Sequence, residues 1–507
     1  MRLAAILGFV MLCVACRVGP DYKRPSAPAP VAYKENPPAD FKEAAAQGWT
    51  QAHPGDAYVK GRWWEIYNDP ALNALEEQVA ISNQNVAQAE ANYRQAKAAV
   101  RVARAALFPT ISTSPTASFS QSGSAQNGVG TNGQPVTTIG GGTTSTSGST
   151  STPIRQFYTL PIDISWEPDL WGSVRRGISG AVDTAQAFAA DVENAKLLYQ
   201  SELASDYFQL HGIDADAQLL RTTVVSYQEY LALTRNRFDA GIASDLDVAQ
   251  AESQLYSTQS ALIDLEVQRT AFEHAIAILT GKAPVDLTIP DKPLAALPPP
   301  VPIGVPSQLL ERRPDIAAAE RRVAAANEQI GIAIAAFYPN LTLSGSGGFQ
   351  GSTLAKWFNW PSRFWSVGPS LAETLFDAGR RRGIVEEQRA AYDATVATYR
   401  QTVLTALQQV EDNLAALRVL ENEAAKTQET VAAAERALGV STDQYKAGIQ
   451  SYLTVITEQA ALLSAQRTQV QLLSRRLVAS VTLVEALGGG WNTSKLPDRS
   501  DVSSAAH

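Results

Sequence analysis

The sequence predicts a mixed α and β membrane protein made from two copies of one unit, each copy pairing short strands with a long helical hairpin. Three observations predict it. The stretch Phe238-Asp239-Ala240-Gly241-Ile242-Ala243-Ser244-Asp245-Leu246-Asp247-Val248 returns as Tyr445-Lys446-Ala447-Gly448-Ile449-Gln450-Ser451-Tyr452-Leu453-Thr454-Val455, about two hundred residues later, which marks an internal duplication. Each copy sits in a proline-free run, from Asp169 to Ala283 and from Ser370 to Leu496, while the other segments hold all 27 prolines. Proline breaks helices, so these runs are free to be helical. Ahead of each run the apolar period changes from about 3.6 to 2, the change from helix to strand.

Composition narrows the class. With 45% hydrophobic and 18% charged residues the chain is neither disordered nor a polytopic helical membrane protein, and after the N-terminus no apolar run is long enough to span a bilayer as a helix. A formal charge of −8 argues against a nucleic-acid partner. Four His and two Cys are scattered without metal-ligand spacing, and the carboxylates lie along helix surfaces, so neither a metal, a cofactor nor a catalytic residue is expected. Paired acids such as Glu386-Glu387 read as solvated faces.

Residues 1–15 read as an export signal, with Arg2 as the positive end, Leu3 to Leu12 as the apolar core and small Ala15 before Cys16. The arrangement resembles a bacterial lipobox, although Cys13 stands where Leu is usual. That resemblance implies acylation at Cys16, and Arg17 after it resembles lipoproteins sent on to the outer membrane. Residues 16–60 are rich in Pro and Ala and read as an extended tether.

The first copy, residues 61–283, opens with a helix from Ala71 to Leu107 that stops at Phe108-Pro109. Its counterpart in the second copy, residues 314–489, runs from Asp315 to Phe337 and stops at Tyr338-Pro339. Strands follow at about 109–121 and 157–169, and again at about 339–350 and 364–376. Tyr158, Leu160, Ile162, Ile164 and Trp166 alternate with Thr159, Asp163 and Ser165, which suits a membrane β-barrel or a half-buried sheet. Four strands cannot close a barrel, since membrane barrels start at about eight and an open edge in lipid leaves backbone groups unpaired, so the barrel must be shared between chains. Between the first two strands, Ser122 to Gln156 is a Gly, Ser and Thr loop. The shorter second loop carries Trp357, Phe358 and Trp360, either a membrane-interface girdle or packing against the rim.

The helical hairpins are expected at about 175–281 and 380–488, each turning at a glycine, Gly241 or Gly448. Val248, Ala251, Leu255, Thr258, Leu262 and Leu265 begin a coiled-coil seam. The last helix offers two seams, one through Val455, Leu462, Ala465 and Leu472 and one through Ile456, Ala460, Leu463, Val470 and Leu477, so it belongs in a wall with two neighbours. Residues 284–313 form a proline-rich linker and 490–507 a loose polar tail.

The opening Val18-Gly19-Pro20-Asp21-Tyr22-Lys23-Arg24-Pro25, then Trp63-Trp64 and Asp69-Pro70, joined to this duplicated body, resembles the lipoprotein branch of the TolC-like outer-membrane efflux factors from Cys16 to about Gly489. The resemblance implies a homotrimer of twelve strands in the outer-membrane lipid, continued by a long periplasmic helical coiled-coil barrel. It implies a passive exit channel for small molecules such as drugs, fed by an inner-membrane RND-type pump through a periplasmic adaptor. A lipid-anchored adaptor or a structural coiled-coil lipoprotein would share the signal and the hairpins. In the family, polar and charged residues at the tips close the periplasmic entrance. Tyr445 and Asp247 match that pattern, with Lys446, Asp239 and Gln450 beside them. Thr454, Thr457 and the displaced Glu458 stand where related channels carry aspartates. Gly241, Ile242, Ser244, Gly448, Ile449 and Ser451 are the expected adaptor contact. Asp245 and Asp247 have a simpler reading as carboxylates favoured at a helix start.

Overall fold

The computed structural model describes residues 17–28, 30, 32–35, 62–121, 154–294, 297–299 and 309–503. Cys16 and nearly all of the loop from Ser122 to Gln156 lie outside them. In chain order the elements are α1 (Pro70–Ser82), α2 (Gln84–Ala105), β1 (Thr110–Thr113), β2 (Thr116–Ser120), β3 (Arg155–Trp166), α3 (Ser173–Asp239), α4 (Asp245–Leu279), α5 (Pro314–Ala335), β4 (Asn340–Gly351), β5 (Arg363–Ala372), α6 (Arg380–Lys446), α7 (Tyr452–Ala486) and α8 (Arg499–Ser503). Equivalent elements match in length: α3 and α6 each have 67 residues, and α4 and α7 each have 35. The chain divides into two compact units, one built from described parts of 1–19, 102–177 and 331–385, the other from 20–101, 178–330 and 386–507.

The first unit is an antiparallel sheet in the order β1, β3, β4, β5, with β2 continuing β1 along β3. The expected first strand is split, because Ser114 and Pro115 separate β1 from β2 and proline has no N–H to give. Pairing resumes in unchanged register, from Thr113 opposite Ile162 to Thr116 opposite Thr159. That register sorts the two faces. Ile111, Ile164 and Val367 align on one, as do Ile162 and Trp365, while Ser112, Asp163, Ser346 and Ser366 align on the other. The apolar face is uncovered in the single chain: Ile111, Ile162, Trp365, Val367 and Leu371 are all exposed. In the same unit Val18 N–H donates to the Trp171 carbonyl at 3.1 Å, and buried Arg176 donates through Nε to the Val18 carbonyl at 2.6 Å. Gly19, at φ 97, fits there because a Cβ would come within 2.7 Å of the Gly331 Cα.

The second unit holds the hairpins and the helices packed on their flanks. α3 runs unbroken, about 100 Å at 1.5 Å per residue. Its main core joins Trp63, Leu72, Tyr207, Ile316, Tyr399 and Leu477. Asp69 caps α1 through the Ala71 N–H and also accepts from Tyr207 Oη at 2.9 Å and Lys292 Nζ at 2.7 Å. Asp214 meets Arg269 Nε at 2.8 Å, His211 Nδ1 at 2.9 Å and the Lys292 N–H at 3.1 Å. The linker is therefore fastened by charge over its described part.

Two expectations fail in this unit. The described part of the tail, 490–503, is not loose: Trp491 and Val502 are buried, Arg499 pairs with Asp183 at 3.0 Å, and Gln186 Nε2 donates to the Pro497 carbonyl at 2.9 Å. Nor is the described part of the proline-rich stretch a free tether. Tyr22 hydrogen-bonds Glu320, Asn327 Nδ2 donates to the Pro20 carbonyl at 3.2 Å, Tyr33 is buried, and Glu411 accepts the Lys34 and Glu35 N–H groups at 2.6 and 2.9 Å. Pro and Ala composition signals extension, and an extended strand can dock as well as dangle.

Candidate functional site

Both hairpins turn alike. Gly241 at φ 71 and Gly448 at φ 75 take the left-handed conformation, and Ile242 and Ile449 donate back to Arg237 and Gln444 carbonyls at 2.8 and 2.9 Å. The restarts differ. Ser244 and Asp247 form a reciprocal capping box at the start of α4, with the Asp247 carboxylate accepting from Ser244 N–H at 2.9 Å and Ser244 Oγ at 2.8 Å. Ser451, at the equivalent place before α7, makes no side-chain cap bond, and Thr454 instead donates to Gln450 Oε1 at 3.2 Å.

Behind the turns the two hairpins share a small core of Tyr227, Leu231, Ala251, Leu255, Tyr445, Tyr452 and Val455. Tyr445 is buried 5.3 Å from the Tyr452 ring, and the Arg237 guanidinium stacks 4.5 Å from the Tyr445 ring centre while donating to the Lys446 carbonyl at 3.3 Å. Burial, partly offset by the Thr234 hydrogen bond, pushes the Tyr452 hydroxyl up to about 12, so Tyr452 keeps its proton near neutral pH. Tyr230 Oη lies 3.2 Å from Thr442 Oγ1, and Gln254 Nε2 donates to Tyr227 Oη at 3.3 Å. The Tyr445 hydroxyl and the buried Gln459 amide find no hydrogen-bond partner among the described residues.

Of the gate candidates, Tyr445 alone enters this core, whereas Lys446 and Gln450 are exposed on the turn and Thr457 faces outward with its hydroxyl on the Leu453 carbonyl at 2.9 Å. Thr454 and Glu458 are half-buried. Asp247 is engaged with Ser244, the simpler reading of that carboxylate, and Asp239 is exposed. Gly241, Ser244, Gly448 and Ser451 are exposed at the tips, where Ile242 and Ile449, together with Leu246 and Leu453, form exposed apolar pairs at equivalent positions. The sequence reading missed Arg237, Tyr227, Tyr230 and Gln459. For Tyr227 and Tyr230 the signal was a concentration of tyrosines flanking both turns.

The family described as outer membrane efflux protein matches residues 75–282 and 305–489. The pyoverdine export outer membrane protein OpmQ of Pseudomonas aeruginosa is 31% identical over 463 residues, covering 90% of this chain and 94% of its own. The toluene efflux pump outer membrane protein TtgC of Pseudomonas putida is 30% identical over 495 residues, covering 96% of this chain and 95% of its own. The solved outer-membrane channel OprN superposes with a TM-score of 0.80 at 29% identity, over 94% of this chain and all of that one. Matched through both halves and along nearly its whole length, the chain belongs to the outer membrane efflux protein family and is an exit channel of the outer membrane.

Proposed function

We propose that three copies of this chain close a twelve-stranded barrel in the outer membrane and carry small molecules outward through a wall of their hairpins. The observation that carries the reading is the sheet, apolar on one face and without a described partner on the outer edges of β1, β2 and β5. In lipid those edges must pair, and copies arranged in a ring pair all of them. The second seam of α7 supports the same assembly, because Ala460 is exposed and Leu463 and Val470 are only half-covered within the chain. Its partners are then a periplasmic adaptor and an inner-membrane RND-type pump, met at Ile242, Leu246, Ile449 and Leu453. Its cargo is of the class its relatives are named for, pyoverdine, toluene and antibiotic. The tips of the three copies form the closed entrance, with Tyr445, Asp247 and Lys446 at the contacts and Thr454, Thr457 and Glu458 in place of a cation-binding aspartate ring. Cys16 carries the acyl anchor.

Native mass spectrometry of detergent-extracted protein gives a trimer on this reading, and single-channel recording in a planar bilayer gives a low-conductance pore. A stable monomer that conducts would sink it. Mass spectrometry of the mature N-terminal peptide tests the anchor, and an unmodified Cys16 removes it.

A further inference from the structure

We propose that the turn end of the sheet is a binding site for a phosphorylated glycolipid of the outer leaflet, with Lys356 and Arg363 holding the phosphates. Between Arg104 and Asp163 the only charged residue is Arg155, and between Asn340 and Ala372 the only charged residues are Lys356 and Arg363. The opposite end of the same unit carries Glu167, Asp169, Glu373 and Asp377, and there two arginines are paired with acids, Arg175 with Asp169 at 3.0 Å and Arg381 with Asp377 at 2.7 Å. Charge in this unit is thus segregated. At the turn end there is no carboxylate to neutralise the cations, so their counter-ions must come from outside the described chain.

The register places Arg363 on the apolar face, opposite Phe349 and in line with Leu160. A cation on the lipid-facing side of a strand is costly at mid-depth and favourable only at the headgroup level. Its guanidinium lies 3.7 Å from the centre of the Trp360 ring, which is 71% exposed. Phe358 and Leu354 in the same β4–β5 connection are also exposed. The platform beneath is fixed. Trp357 Nε1 donates to the Phe349 carbonyl at 3.2 Å, Ser362 Oγ donates to the Lys356 carbonyl at 2.8 Å, and Trp357 packs on Tyr158 at 5.8 Å. Exposed rings next to cations that have no acidic partner among the described residues match an amphiphile with acyl chains below and anionic phosphates above. An aromatic girdle alone accounts for the rings and not for the missing acids. The outer leaflet is the choice because the other sheet end continues into α3 and α6, which the proposed function places in the periplasm.

Purified protein is titrated with bis-phosphorylated lipid A, with its dephosphorylated form and with phosphatidylglycerol, and bound lipid is counted by native mass spectrometry. Conductance is recorded on the same preparations, so a failed channel reading and a failed lipid site are told apart. We expect retention of lipid A that needs its phosphates. The double variant Lys356→Gln, Arg363→Gln should lose it by on the order of tenfold or more, whereas Arg363→Lys keeps it. Arg155→Gln is the control, since Arg155 pairs with Ser120 on the polar face of the same rim. Equal retention by the double variant, equal binding of phosphatidylglycerol, or a change of oligomeric state in place of lipid loss would each overturn the proposal.

Discussion

Asp247 caps the start of α4 and is proposed to help close the entrance, and a pair of substitutions separates the two roles. Asp247→Ala removes both charge and capping box, at about 1 kcal/mol, while Asp247→Asn keeps an acceptor for Ser244 and removes only the charge. If charge closes the entrance, resting conductance rises in both variants. A rise in the alanine variant alone assigns Asp247 to the cap. Buried acids give a second residue-scale prediction. Burial and the neighbouring Glu202 raise Asp206 to about 6, and burial alone holds Glu76, which has no partner for either oxygen among the described residues, well above the usual carboxylate range. A folded-state value raised in this way favours the protonated acid, so the stability it contributes is full at low pH and is lost as pH rises through the folded value. Asp206→Asn should therefore raise the melting temperature at pH 7.5 and leave it nearly unchanged at pH 4, measured by differential scanning fluorimetry. The raised acids were not legible beforehand. A capping box can be read from Ser244 and Asp247, but burial of Glu76 depends on what the rest of the fold lays over α1.

At the scale of elements, the two halves of the long helices divide the labour between folding and assembly. Leu477, read from sequence as part of the second of two side-by-side seams, is fully buried in the chain's own core, while Val470 on the same seam is half-covered. Leu477→Asp should thus cost about 4 kcal/mol of folding stability through an unpaired buried charge. Val470→Asp should leave the fold intact and shift the proposed trimer toward monomer, read by sedimentation velocity. Strands and hairpins were readable because period 2 and the 3, 4 spacing are written many times over in each element. The glycine turns were readable because Gly241 and Gly448 recur in matching context. The tail and the leading strap were not. They are held by isolated long-range contacts, among them Arg499 to Asp183 and Tyr22 to Glu320, between partners some three hundred residues apart. No periodicity announces such a pair, and composition alone reads as slack.

For the whole molecule, the sheet edges set the terms of assembly. Cysteine pairs placed on the two edges, Ile111→Cys with Leu371→Cys, should yield disulfide-linked dimers and trimers in the membrane if neighbouring copies pair edge to edge, and only monomers if they do not. Ile111 and Leu371 lie on the outermost strands, and both face the apolar side. The same open edges govern kinetics. A single sheet has no end state in lipid that satisfies its backbone, whatever its apolar face gains by entering. Insertion and association then become one reaction rather than two, with an order in protein above one. Halving the supply of exported chain should cut the rate of channel appearance by more than half, and the deficit should accumulate as uninserted chain whose bare strand edges invite aggregation.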